Sequence, residues 1–136
     1  MAHAIALRLS PNADLRRSLM AVASDRALSA AYVATCVGSL SQATLRFAGQ
    51  SNATVLKERF EIISLVGTVS GAGVHLHIGL ADSTGRCLGG HVLDGCLIYT
   101  TAEIILGTLS DVRFDRTLDP ATGYRELEII AIGGHP

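Results

Sequence analysis

The middle of the chain reads VHLHIGLADSTGRCLGGHVL from Val74 to Leu93. Apolar residues alternate with polar residues or glycine on both sides of a cluster of turn-forming residues, as in a β-hairpin with one buried face. A three-residue loop with Gly85 in the left-handed conformation is a common closure for such a hairpin. The stretch therefore predicts two antiparallel strands, and the alternation allows their register to be worked out.

The register follows from the requirement that one face of the hairpin be apolar. Pairing Asp82 with Arg86 across the loop places all the apolar partners on one face. His77 then lies directly opposite His91, and His75 lies on the diagonal of the same face. A slip of one residue, which a bulge at the neighbouring glycine pair would allow, would move the third histidine to the other face.

Three histidines that converge on one face of a hairpin favour a shared metal site. Directly opposed Cβ atoms lie about 5 Å apart and diagonal ones about 7 Å, and imidazole is the commonest metal ligand in proteins. The alternative is that these are polar side chains on an exposed strand face. With no obvious fourth ligand, His75, His77 and His91 predict an open site in which the metal, most simply zinc, keeps a position for water or substrate.

Glu103 is the nearest candidate for an indirect role at this site or for a weak fourth ligand. It lies in the run YTTAEII, residues 99–105, which is predicted to form a strand next to the hairpin. A carboxylate there could hydrogen-bond a metal-ligating imidazole from outside the coordination sphere. An exposed strand carboxylate explains Glu103 equally well, and the sequence identifies no catalytic residue.

Several stretches along the chain resemble the plant- and prokaryote-conserved domain, or PPC domain. They are Gly38-Ser39-Leu40, the run FEIISLVGT from Phe60 to Thr68, His75-Leu76-His77, Leu80-Ala81-Asp82 with Gly85, Gly89-Gly90-His91 and Thr101-Ala102-Glu103. The resemblance spans roughly residues 5–132 and is to the stand-alone prokaryotic type. It implies an α+β domain, a homotrimer, and a metal site at His75, His77 and His91. Plant members carry the domain beside AT-hook motifs, which implies DNA as a partner.

The charge of the chain argues against strong DNA binding by this chain alone. It has 11 Lys and Arg residues against 12 Asp and Glu, a formal net charge of −1, and neither an Arg-Gly-Arg-Pro AT-hook core nor a basic tail. Non-specific duplex binding depends on clustered cations that neutralise phosphates. We therefore expect weak DNA binding, although the scattered arginines of the first half can still meet in the fold.

Length and composition indicate a single domain over residues 1–136. Hydrophobic residues are 49% of the chain and charged residues 17%. So little charge covers the surface of a small monomer poorly, which gives moderate support to burial between subunits. No segment reaches the roughly twenty apolar residues of a membrane span, and no secretory signal pattern is evident. Three cysteines without Cys-x-x-Cys spacing are typical of a reduced, cytoplasmic protein.

The rest of the chain predicts an α+β fold, a mostly antiparallel sheet with one main N-terminal helix packed on it. Apolar residues at helical spacing place the helix at Ala13–Leu28. A turn at Gly38-Ser39-Leu40 is predicted to separate two strands, and Phe60–Val69 to form a central strand. The predicted strands outside the histidine hairpin are residues 3–9, 31–37, 43–48, 60–69, 97–106 and 126–132.

Two functions of different classes are consistent with these features. The first is a metal-binding trimeric module without catalytic activity, either regulatory or part of a nucleic-acid complex. The second is a metal-dependent hydrolase or lyase that acts on a small molecule through metal-activated water, with Glu103 as base. Because the sequence shows no second catalytic constellation, we favour the first.

Overall fold

The computed structural model describes residues 3–133, and the predicted single domain extends beyond them at both ends. Within this part of the chain a seven-stranded antiparallel sheet carries one helix, and two further strands form a separate hairpin. The α+β prediction is confirmed. The elements are β1 (Ala4–Leu9), α1 (Leu15–Asp25), β2 (Ala31–Arg46), β3 (Thr54–Leu56), β4 (Phe60–Ser70), β5 (Gly73–Ala81), β6 (Cys87–Val92), β7 (Leu97–Thr108), β8 (Val112–Leu118) and β9 (Arg125–Ala131).

The large sheet closes on itself through its longest strand. The strand order is β1-β7-β2-β4-β5-β6, β3 pairs with β2, and the end of β2 also pairs with β6. In that last pairing Leu45 lies opposite Val92 and Arg46 lies opposite His91. Strands β2, β4, β5 and β6 therefore form a closed circuit of pairings, which brings the end of β2 next to the histidine hairpin.

The helix is short because residues close to each of its ends stop it from extending further. Asp14 caps the N-terminus, its side chain accepting a hydrogen bond from the Arg17 N–H at 3.0 Å. Ala27 has a positive φ of 50°, which ends the helical path. A helix was correctly predicted here, but the predicted range Ala13–Leu28 extends beyond α1 at both ends. Leu15 and Leu19 are fully buried against the sheet, and each such burial is worth about 1.5–3 kcal/mol.

The predicted turn at Gly38-Ser39-Leu40 is wrong, because β2 runs without interruption from Ala31 to Arg46. Gly38 pairs with Ile62 of β4 on one side and with Ala102 of β7 on the other. A Cβ atom on Gly38 would meet the carbonyl oxygen of Thr101. Glycine is present here because two backbones approach closely, which a sequence pattern does not distinguish from a turn.

The remaining strands were predicted unevenly. Phe60–Val69 is confirmed as an interior strand, β4, and the strand predicted over residues 126–132 is confirmed as β9. Strands β3 and β8 were missed, and β8 buries only Phe114. Short strands at the surface carry a weak alternation signal, which accounts for the omission. Among the described residues, no helix is long and apolar enough to cross a membrane.

Candidate metal centre

The hairpin of β5 and β6 has the register predicted from its sequence. His77 pairs with His91 and Leu80 with Leu88. At the loop, the Asp82 N–H donates to the Arg86 carbonyl at 2.8 Å, and Gly85 adopts a φ of 86°. The slipped register is therefore excluded, and all three histidines of the hairpin lie on one face.

The two faces of β5 differ as a half-buried strand requires. Leu76, Ile78 and Leu80 point into the core and are at most 3% exposed. His75 and His77 alternate with them and lie on the exposed face. Burial of the leucine and isoleucine side chains thus fixes the orientation of β5 and holds both imidazoles outward on the same side.

The three imidazoles form a compact triangle. Ring centroids are 5.0 Å apart for His75 and His77, 5.2 Å for His75 and His91, and 5.6 Å for His77 and His91. One ring nitrogen from each lies within 4.8 Å of the other two. Three nitrogens around one tetrahedral zinc would be about 3.4 Å apart. Small side-chain rotations would therefore bring all three into bonding range of a single ion.

The electrostatic environment favours the neutral form of two of these imidazoles, His75 and His91. Partial burial lowers the pKa of His91 to about 4, and the nearby Arg46 guanidinium adds to the effect. Burial also lowers the pKa of His75, with further contributions from His77 and Arg116. A neutral imidazole has a free lone pair on one nitrogen, which is the form that binds a metal ion. The donor set therefore fits a divalent metal at neutral pH.

The metal-facing side of the triangle is open. A cavity of about 590 Å³ is lined by the three histidines, by the glycines beside His91, and by the segment from Arg46 to Ser51. Neither Gly89 nor Gly90 carries a side chain to fill this space. An ion held by the three imidazoles would consequently keep a coordination position accessible to water or to a small molecule.

Glu103 is placed differently from the prediction. Strand β7 pairs with β1 and β2 and with neither strand of the histidine hairpin, and β2 lies between β7 and β6. Glu103 itself lies opposite Arg8 on β1 and Val37 on β2. The expectation that its strand would lie next to the hairpin is wrong. The indirect role of Glu103 at the metal stays a prediction without that support.

Sequence reasoning missed three arginines near the histidines. Arg46 is brought there by the pairing of β2 with β6, and Arg116 and Arg125 by the hairpin of β8 and β9. All three line a second cavity, of about 340 Å³, together with His75 and His91. No local motif marks these arginines, since their proximity depends on contacts between elements distant in the chain.

Comparison with known proteins gives one family and several close structures. The family model of the Plants and Prokaryotes Conserved (PCC) domain matches residues 2–110. A hypothetical protein from Salmonella cholerae-suis, of known structure, is 41% identical, with a TM-score of 0.94, and the match covers 97% of this chain and 96% of that one. A metal-containing protein from Archaeoglobus fulgidus is 26% identical, with a TM-score of 0.79 and 91% of each chain covered.

Longer relatives also contain this domain. The bifunctional protein GlmU of Synechococcus sp. (strain JA-2-3B'a(2-13)) is 51% identical over 130 residues. The match covers 96% of this chain but 21% of the relative, and a GlmU from a second Synechococcus strain matches in the same way. The chain thus spans about a fifth of the length of the curated relatives it matches.

Proposed function

The chain belongs to the Plants and Prokaryotes Conserved domain family, and on that premise we propose that it is a homotrimeric metal-binding module. The metal is bound by His75, His77 and His91. The observation that carries this proposal is the convergence of three imidazoles on one hairpin face, with a nitrogen of each within 4.8 Å of the others.

Zinc is the metal that we propose. Nitrogen donors of intermediate softness suit zinc, and three histidines with an open fourth position are a known zinc arrangement. The metal-containing Archaeoglobus fulgidus protein, 26% identical to this chain, supports a metal here without identifying it.

The trimer is supported by an apolar area on the outer face of β2 and β4. Val37 and Ile63 are each 61% exposed. Because Gly38 pairs with Ile62, these two side chains lie side by side one position further along the strands. Val66 of β4, 57% exposed, adds to the same strand's outer face. Adjacent exposed β-branched residues on paired strands are typical of a surface that another subunit covers.

A module role also fits the longer relatives. In the Synechococcus GlmU proteins the matching region is about a fifth of a larger bifunctional protein, as expected of a domain that serves a partner domain or complex. We propose that the chain has a regulatory role within such a larger protein or complex. The plant relatives suggest that this role includes association with DNA. The three cysteines form no disulfide within the described residues, and the cytoplasm is the compartment that we propose.

A metal-dependent hydrolase or lyase is the second candidate. The cavity of about 590 Å³ beside the three imidazoles favours it, because a small molecule could reach the metal there. Against it, the described residues place no carboxylate among the clustered metal-ligand atoms. An enzyme of this class needs a base in reach of the activated water.

Elemental analysis tests the proposal. The protein would be purified without an affinity tag or chelator, dialysed, and measured by inductively coupled plasma mass spectrometry. We expect zinc in a stoichiometric amount per chain. A protein that neither retains a divalent metal nor takes one up after incubation with zinc salt would contradict the proposed function.

A further inference from the structure

The hairpin of β8 and β9 lies beyond the residues that the family model matches, which end at 110. Two hydrogen bonds hold it against the rest of the domain, one to strand β4 and one to the loop before β2. The Arg116 guanidinium donates to the Thr68 hydroxyl at 3.0 Å, and the Phe114 N–H donates to the Ser29 carbonyl at 2.8 Å. Thr68 pairs with His75 in the sheet, so this hairpin is anchored beside the histidine cluster.

A cavity of about 340 Å³ lies between the hairpin and the histidines. Three arginines from three different strands line it, together with one tyrosine and two of the three histidines. These residues are Arg46, His75, His91, Arg116, Tyr124 and Arg125. Volumes of this size hold small molecules rather than extended polymers.

The positive charge of this cavity is largely uncompensated. Glu126 is the acidic residue among its lining side chains. Across residues 3–133, salt bridges involve Arg16, Arg17 and Arg113, and none involves the three arginines of the cavity. Three like charges that form no salt bridge repel one another, and a bound anion would remove that cost.

Guanidinium groups determine the class of ligand that fits. Each presents a planar fork of N–H donors that matches the two oxygens of a carboxylate or phosphate. The Tyr124 hydroxyl can add a further hydrogen bond. His75 and His91 line the same cavity, so an oxyanion held by the arginines would lie next to the proposed metal.

We propose that this cavity binds a small molecule bearing a carboxylate or phosphate group, with Arg46, Arg116 and Arg125 as its charge partners. The part of the proposal that places the oxyanion beside a metal rests on the proposed function, whereas binding by the arginines does not. The C-terminal hairpin supplies two of these three cations.

Isothermal titration calorimetry on the full chain tests this, with inorganic phosphate and succinate as separate probes. Each probe is titrated into zinc-loaded and into metal-free protein. The variants are Arg125→Gln and Arg46→Gln, which change exposed or half-buried side chains. The matched control is Arg113→Gln, on the same hairpin but paired with Asp115 and outside the cavity lining.

We expect at least one probe to bind, and each cavity variant to weaken it by about tenfold or more, while Arg113→Gln binds like the parent. The stronger probe identifies phosphate or carboxylate as the natural group. If the metal-free protein binds the probe, the anion site is supported. If the protein also takes up no zinc, the proposed function fails but the anion site stands. No binding at millimolar concentrations in either form, or equal binding by Arg125→Gln and Arg113→Gln, would overturn the proposal.

Discussion

His77 on β5 lies directly opposite His91 on β6, with ring centroids 5.6 Å apart. The pair depends on the opposite face of the same hairpin, where Leu76 and Ile78 are almost fully buried. Because neighbouring side chains in a strand point to opposite faces, burying the leucine and isoleucine forces the histidines together on the outside. The core of the sheet therefore brings together the imidazoles of the proposed metal site independently of any metal.

We predict that the double variant His77→Ala/His91→Ala no longer binds zinc in a stoichiometric amount, because one imidazole cannot hold the ion alone. The measurement is metal content after dialysis, with circular dichroism to confirm folding. His3→Ala is the control, since His3 lies outside the histidine cluster. Unchanged metal content in the double variant would show that the metal binds elsewhere.

We predict that Val37→Lys or Ile63→Lys converts the proposed trimer to monomers. Both side chains are 61% exposed and adjacent, and a buried unpaired ammonium at a subunit interface is costly. Val55→Lys is the matched control, because Val55 is 51% exposed on β3, away from this area. Multi-angle light scattering reads out the mass. A parent protein that is monomeric at all concentrations would refute the assembly itself.

We predict that Asp94 stabilises the fold in a pH-dependent way. Its side chain accepts hydrogen bonds from Arg16 at 2.9 Å and from Arg17 at 3.3 Å. The Arg16 hydrogen bond lowers the pKa of Asp94 below its ordinary value of 3.8. A lowered carboxyl pKa stabilises the fold above the ordinary value, and this stabilisation is lost as the pH falls through the native pKa. Asp94 is solvent-exposed, so Asp94→Asn should cost about 0.5–1 kcal/mol at pH 7.

Urea unfolding at a series of pH values measures this difference. The free energies of unfolding of the parent and of Asp94→Asn should converge as the pH drops below 3.8. The control is Asp111→Asn, which changes a carboxylate outside the salt bridges of the described residues. Its free energy of unfolding should differ little from that of the parent at any pH. A difference between parent and Asp94→Asn that persists in acid would mean that the residue acts through packing rather than charge.

We predict that the protein alone binds duplex DNA weakly at physiological salt. The formal charge is −1 per chain, and a trimer would carry about −3, which repels phosphates at long range. Fluorescence anisotropy of a labelled duplex at about 150 mM salt measures the affinity. Dissociation constants in the non-specific range of about 10⁻⁴ to 10⁻⁶ M, or weaker, are expected. Sub-micromolar, sequence-dependent binding would instead support a transcription-factor role.

The histidine hairpin shows how much local pattern can determine. Alternation with period two, a turn ending in Gly85, and a requirement for one apolar face favoured the observed register over the slipped one that the glycine pair would allow. The same pattern placed His75, His77 and His91 together. These are all properties of about twenty consecutive residues, which explains why sequence alone was sufficient.

Gly38 marks where sequence reasoning failed. A glycine at this position is compatible with a turn or with a close approach of two backbones. Only the position of Thr101 on β7 decides between these two explanations. The strands next to Glu103 likewise could not be identified until the pairing of β7 with β1 and β2 was known. Pairing between distant strands depends on how the whole core is buried, which no local window contains.

The sequence by itself determined the α+β class, the histidine hairpin and the face on which its imidazoles lie, because these follow from residues adjacent in the chain. Only the tertiary structure decided the surroundings of that face. Arg46 reaches His91 because β2 extends far enough to pair with β6, and Arg116 and Arg125 reach the same cavity because the last hairpin packs against β4. Charges from separate strands meet only when the sheet closes.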